Sequence, residues 1–169
     1  NGTPKLSMPS SEVSRDQRRE KMTMLRKKVA ERLVSVKRNT AMLTTFNEID
    51  MSAVMNVRKQ YKDVFKEKHG VGLGFMSFFT KAVTRALQLF PDVNSMIDGQ
   101  EKITYNFCDI SVAVSGPKGL MVPVVRNADQ KTLSVINAEV KDYAAKAKDK
   151  KLQPKDWEGN TFSISNLGM

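Results

Sequence analysis

A mixed α/β domain behind a basic arm is the fold class this sequence predicts, on three observations. Three stretches carry apolar residues at the three-or-four spacing of a helix, and a fourth is apolar nearly all round. Short runs of β-branched and aromatic residues lie between Gly/Pro turn signals. Positive charge is concentrated at the front: residues 1–38 hold 11 Lys/Arg against 4 Asp/Glu, a net of +7, whereas the remainder carries +3.

The size fits one domain, and 169 residues with 40% hydrophobic content can bury an ordinary core. No apolar run is long enough to span a membrane, and no secretory signal pattern is present. The single cysteine, Cys108, excludes an internal disulfide and a cysteine-built metal site and suits a reducing compartment. The basic front suits nucleic acid, anionic lipid or an acidic partner, or is a solvated helix face. It contains no aromatic residue on which unpaired bases could stack. The chain begins at Asn1 and stops at Met169 just after a strand-like run, which suggests a piece of a longer protein.

Residues 1–19 are polar, with Pro4, Pro9 and four serines, and are expected to be a flexible arm. Residues 20–38 predict an amphipathic helix with Met22, Leu25, Val29, Leu33 and Val36 on its stripe. Ala41–Ser52 reads as a strand, because Thr44, Thr45, Phe46 and Ile49 suit a pleated surface. Ser52 is placed as the N-cap of a second helix running to about Lys68, with Val54, Val57, Tyr61, Val64 and Phe65 on one face and Gly70 and Gly72 ending it. Residues 75–90 are apolar on nearly every side, which predicts a buried helix with its phenylalanines in the core, stopped by Pro91.

Asp98-Gly99 reads as a turn before a strand over Lys102–Phe107. Ile110, Val112 and Val114 alternate with Asp109, Ser111, Ala113 and Ser115. With GPKG (116–119) and LMVPVVR (120–126) they make a hairpin candidate. Pro123 marks its strand as an edge, a bulge or one crossed by an irregularity. Thr132 to about Lys150 predicts the last helix, on Leu133, Ile136, Val140, Tyr143, Ala144 and Ala147. A loop from Gln153 to Gly159 leads to a strand over Thr161–Ser165.

These residues alone complete no catalyst. His69, the only histidine, falls at a helix C-terminus, where the dipole favours it without any chemical role. The GxxG of 116–119 lacks the Lys-Ser/Thr and the following helix of a phosphate loop.

Five stretches, however, resemble one family in its own order: MTMLRKKVAERL (Met22–Leu33), AMLTTFNEIDMS (Ala41–Ser52), GFMSFFTKAV (Gly74–Val83), DISVAVSGPKGLMVPVVRN (Asp109–Asn127) and TFSISN (Thr161–Asn166). The chain is similar to the catalytic domain of dihydrolipoamide acyltransferases, most closely the succinyl-transferring branch that serves the 2-oxoglutarate dehydrogenase complex. The resemblance runs from about Glu20 to the last residue.

It implies a chloramphenicol acetyltransferase-like α/β (α+β) fold, a mixed sheet packed with helices and here incomplete. Residues 1–19 would be the linker arm and residues 20–169 the N-terminal part of the catalytic domain. The implied activity is acyl transfer from a dihydrolipoyl group, carried on a domain outside this chain, to coenzyme A. The family's general base is the histidine of a His-x-x-x-Asp-Gly motif. Its oxyanion donor is a hydroxyl that maps to Ser165, the residue after Phe-Ser-Ile.

These 169 residues contain no His-x-x-x-Asp-Gly, so the polypeptide by itself is expected to be inactive. SNLGM (165–169) is nearer the acetyl-transferring branch, so acetyl transfer in the pyruvate dehydrogenase complex is the alternative. A non-catalytic core fragment with a basic partner-binding arm is another. The resemblance also implies trimers built into a larger core, with 2-oxoacid dehydrogenase and dihydrolipoamide dehydrogenase as partners. It implies a bacterial cytoplasm or mitochondrial matrix, and neither membrane nor nucleic acid as a partner.

Overall fold

The protein's architecture comes from a computed structural model, which describes residues 16–116 and 119–166. The chain divides after Ile49 into two compact units. Most of the expected arm lies outside the described residues, and Asp16–Arg19 are exposed without regular structure.

Among its described residues the first unit holds one helix, α1, Met24–Asn39. It begins later than the apolar period suggests because Thr23 caps it, its Oγ1 accepting the Arg26 N–H at 3.3 Å. Leu25, Val29, Leu33 and Val36 are all exposed. The next stretch corrects an expectation. No strand forms over Ala41–Ser52; residues 41–50 are without regular structure and exposed, Phe46 at 91%. Strand-forming side chains stabilise a strand only through a neighbour's ladder and cross-strand packing. No ladder runs over these residues in this chain.

The second unit opens with α2, Ser52–His69. Ser52 is its first helical residue rather than its cap, and Asp50 holds the start by accepting the Ser52 N–H at 2.8 Å. The Ser52 hydroxyl first, and then this N–H, hold the Asp50 carboxyl below the usual range. Gly70 ends the helix in the left-handed region, φ +68°, with its N–H on the Lys66 carbonyl. No α2 residue is buried, and Val57, Tyr61 and Val64 of its stripe are exposed. Arg58 ties the helix to the segment leading into α3, donating to the Leu73 carbonyl and lying over the Phe75 ring.

That third helix, α3, spans Phe75–Leu89. Its buried positions are Ser77, Thr80, Thr84 and Leu87, while Phe75, Phe78 and Phe79 are only half-buried and Phe90 is exposed. This overturns the reading of its phenylalanines as core. Short side chains let the helix approach its neighbour closely. Each hydroxyl is satisfied locally: Ser77 donates to the Gly74 carbonyl, Thr80 to Met76 and Thr84 to Lys81.

After Pro91 a 3-10 turn leads into a hairpin of β1, Ser95–Asp98, and β2, Glu101–Thr104, with Gly99 at φ +59° in its two-residue loop. The expected strand to Phe107 stops at Thr104 because the buried Asn94 amide takes the carbonyls of Tyr105 and Phe107.

The next strands are β3, Ile110–Val112; β4, Val114–Gly116; β5, Gly119–Met121; and β6, Val124–Val125. The predicted hairpin is there, since β4 pairs antiparallel with β5 and β3 with β6. Pro123 is the irregularity between β5 and β6; it is fully buried, and its carbonyl accepts the Val112 N–H. The last helix, α4, Leu133–Lys148, is capped by Thr132. The final strand, β7, Phe162–Ile164, pairs parallel with β3, giving the order β6-β3-β7. Leu87, Cys108, Ile110, Val112, Val125, Ala128 and Ile136 form the main core. Met76, Val83, Val140, Tyr143, Phe162 and Ile164 pack against it. Among the described residues, no helix is long and apolar enough to cross a membrane.

Candidate active site

The end of β7 is built from its partner strand outward. Ile110 lies beside Phe162, Ser111 beside Ser163 and Val112 beside Ile164. The Ala113 N–H reaches the Ile164 carbonyl at 3.1 Å, the last ladder bond before Ser165. Phe162 and Ile164 pack into the core. Successive side chains of a strand point to opposite faces, so Ser163 and the residue after Ile164 belong to the other face. Ser163 and Ser165 are both exposed.

A polar node anchors the entry to this strand. The Thr161 N–H bonds the Asp109 carbonyl at 2.9 Å, and the Asp109 N–H bonds Thr161 Oγ1 at 3.2 Å. The Asp109 carboxylate, 10% exposed, faces Arg126 at 3.0 Å through one oxygen. Its other oxygen accepts the Asn127 N–H at 2.7 Å. Arg126 also donates to the carbonyls of Lys155, Glu158 and Gly159, so one guanidinium pins the 153–160 loop to β3 and β6. Sequence reasoning missed this node. Its only signal is an aspartate at the head of an apolar run, and its partners are far apart along the chain.

The other candidates stand apart in their roles. His69 ends α2 and lies against Phe65, ring centroids 4.7 Å apart. The Cys108 thiol is buried, and burial, then Asp129 and Asp109, push it up against the opposing effect of Lys81. Such a thiol is a poor nucleophile at neutral pH. A cavity of about 220 Å³ is lined by Leu87, Asn94, Tyr105, Phe107, Cys108 and Asp129; Ser165 is not among its walls. Among the described residues no group of three His, Cys, Asp or Glu side chains is placed to hold a metal ion.

The family model for 2-oxoacid dehydrogenases acyltransferase (catalytic domain) matches residues 14–169. The chain belongs to this acyltransferase family. The acyltransferase domain is 50% identical over 152 residues, 90% of the chain, to the dihydrolipoyllysine-residue succinyltransferase component of the 2-oxoglutarate dehydrogenase complex of Buchnera aphidicola. It is 47% identical over 157 residues (93%) to the component of that name in Escherichia coli K12, and 51% over 156 (92%) to that of Pseudomonas aeruginosa. It spans only 37%, 39% and 38% of the length of these relatives.

Among solved structures, the acyltransferase domain is similar to the dihydrolipoamide acetyltransferase of Azotobacter vinelandii. The TM-score is 0.81 at 34% identity, covering 98% of this chain and 68% of that one. That structure accompanied enzymatic work on a serine, a histidine and an asparagine in its catalytic mechanism. The cubic core of the pyruvate dehydrogenase multienzyme complex matches with a TM-score of 0.81 at 33% identity, over 98% of this chain and 68% of that one. These neighbours agree with the expected mixed arrangement of helices and sheet.

Proposed function

We propose that this chain is the catalytic-domain portion of an enzyme that moves a succinyl group from dihydrolipoamide to coenzyme A in the 2-oxoglutarate dehydrogenase complex. The observation that carries the acyl assignment is the contrast in identity. Relatives named succinyltransferases stand at 47–51%, and a neighbour named an acetyltransferase stands at 34%. Bacterial relatives favour a cytoplasmic enzyme over one of the mitochondrial matrix. A neighbour that is a cubic multienzyme core favours a trimer-based assembly working with 2-oxoacid dehydrogenase and dihydrolipoamide dehydrogenase.

In this reading the coenzyme A thiol loses its proton to the histidine of the family's His-x-x-x-Asp-Gly motif, which is not among these 169 residues. The thiolate sulfur bonds to the thioester carbon, and the carbonyl oxygen takes up negative charge. The Ser165 hydroxyl donates a hydrogen bond to that oxygen. Collapse breaks the bond to the dihydrolipoyl sulfur, which leaves with the proton. Support for the serine is its exposure immediately past a strand whose other face packs into the core, which leaves its hydroxyl open to a ligand where charge would develop.

The test uses this chain extended by the C-terminal segment of a succinyltransferase relative. Succinyl transfer should exceed acetyl transfer, and Ser165→Ala should slow it by about 100-fold or more. A preference for acetyl would overturn the acyl assignment, and an unaffected Ser165→Ala variant would overturn the role of the serine.

A further inference from the structure

We infer that Ser163, held by Asn160, binds the distal carboxylate of a dicarboxylic acyl group whose thioester end is handled at Ser165. The inference rests on the reading of Ser165 given above and names what that site selects.

Three observations carry it. First, Ser163 and Ser165 are both exposed, and both follow a core-packed neighbour on β7. β7 ends at Ile164, and its period continued one residue to Ser165 puts the side chains of Ser163 and Ser165 on one face about 6.6 Å apart. A succinyl group spans about 6 Å from its thioester oxygen to a carboxylate oxygen when extended, by ordinary bond lengths. The two hydroxyls therefore match the two ends of a four-carbon diacid, whereas an acetyl group reaches only one.

Second, Ser163 is oriented. The Asn160 amide nitrogen donates to Ser163 Oγ at 3.0 Å and also leans on the Phe162 carbonyl at 3.4 Å. Ser163 is thus the acceptor toward Asn160, which leaves its own proton to be donated outward. A hydroxyl with its lone pair already engaged is a better prepared donor for an anion than one free to rotate. Asn160 is a positioning residue, since its amide nitrogen donates to two acceptors of β7 itself.

Third, the carboxylate that anchors this strand is already neutralised. Asp109 faces Arg126 at 3.0 Å and accepts the Asn127 N–H, so the node at the strand's entry does not present an unpaired negative charge to an incoming diacid.

The experiment compares S-succinyl- and S-butyryl-dihydrolipoamide, which have equal chain length and differ in the terminal carboxylate, in the extended protein. Ser163→Ala should lower the succinyl-to-butyryl ratio of kcat/KM by about tenfold, the effect of one hydrogen bond to a charged group. Ser163→Thr should restore it, and Asn160→Ala should lower it by a smaller factor. A ratio unchanged in Ser163→Ala, or equal losses for both substrates, would overturn the inference. If Ser165→Ala still slows transfer of both substrates by about 100-fold or more in that case, the proposed function stands and only the carboxylate subsite fails. If Ser165→Ala leaves both untouched, the underlying reading fails first.

Discussion

Arg126 and Asp109 sit 3.0 Å apart across the β3–β6 end of the sheet, the carboxylate nearly buried and the guanidinium shared with three loop carbonyls. Removing the cation strands a desolvated carboxylate and frees the loop that feeds β7. Arg126→Ala should therefore destabilise the fold by about 2–3 kcal/mol, at the lower edge for buried pairs because Arg126 is partly exposed. Arg126→Lys should recover little, since one ammonium cannot serve four acceptors in a fixed fork. Urea unfolding followed by circular dichroism measures both. A lysine variant as stable as wild type would contradict the fork argument.

Gly74 is a second point where space is tight. A Cβ there would come 2.9 Å from Asn137 Oδ1, the same atom that accepts the Gly74 N–H at 3.2 Å. Asn137 also donates to Ser77 Oγ, so this cluster joins the start of α3 to α4. Gly74→Ala should cost about 1–2 kcal/mol through the displaced asparagine and its unmade bonds. Combined with Asn137→Ala, the loss should be well short of additive, as expected for neighbours. Thermal or urea melts of the two single variants and the double variant give the coupling.

Alkaline conditions probe Cys108. Its folded-state thiol is held above the usual range, first by burial and then by Asp129 and Asp109. The neutral form is favoured in the fold, so its contribution is fully present below the ordinary thiol value of roughly 8.5. It is lost as pH rises from there through the higher folded value. Stability should fall over that window, and Cys108→Ala should make the fall shallower. Alkylation of Cys108 at neutral pH should be slow until denaturant is added, and rapid labelling of the native chain would refute the burial argument.

The 169-residue polypeptide alone should not transfer acyl groups, because it holds one histidine and no His-x-x-x-Asp-Gly. Assay with S-succinyl-dihydrolipoamide and coenzyme A should give no rate above the uncatalysed one. Turnover near that of an extended protein would mean that another group removes the thiol proton.

The helices were the most legible part of this chain. The ends of α2, α3 and α4 follow from local chemistry: Gly70 adopting positive φ, Pro91 refusing to continue, Thr132 capping. Those signals act within one turn and need no tertiary partner. The β3 to β6 hairpin and β7 were also readable from alternation and turns. Ala41–Ser52 was not, since its side chains have the propensity but its backbone has no ladder in this chain. Nor was the inner face of α3, where locally bonded hydroxyls take the buried positions that phenylalanines were expected to fill.

The sequence by itself determined the family, the number and order of the long helices, the stops at Gly70 and Pro91 and the place of the serine after Phe-Ser-Ile, because these depend on residue identity and short-range chemistry. Only the tertiary structure decided that β7 runs parallel to β3, that Asp109 and Arg126 anchor its entry, and that Ser163 is bonded to Asn160 while Ser165 stands exposed. Each of the cross-chain relationships joins residues far apart along the chain or fixes a side chain's direction. Register and packing set those, and neither is written in any local pattern.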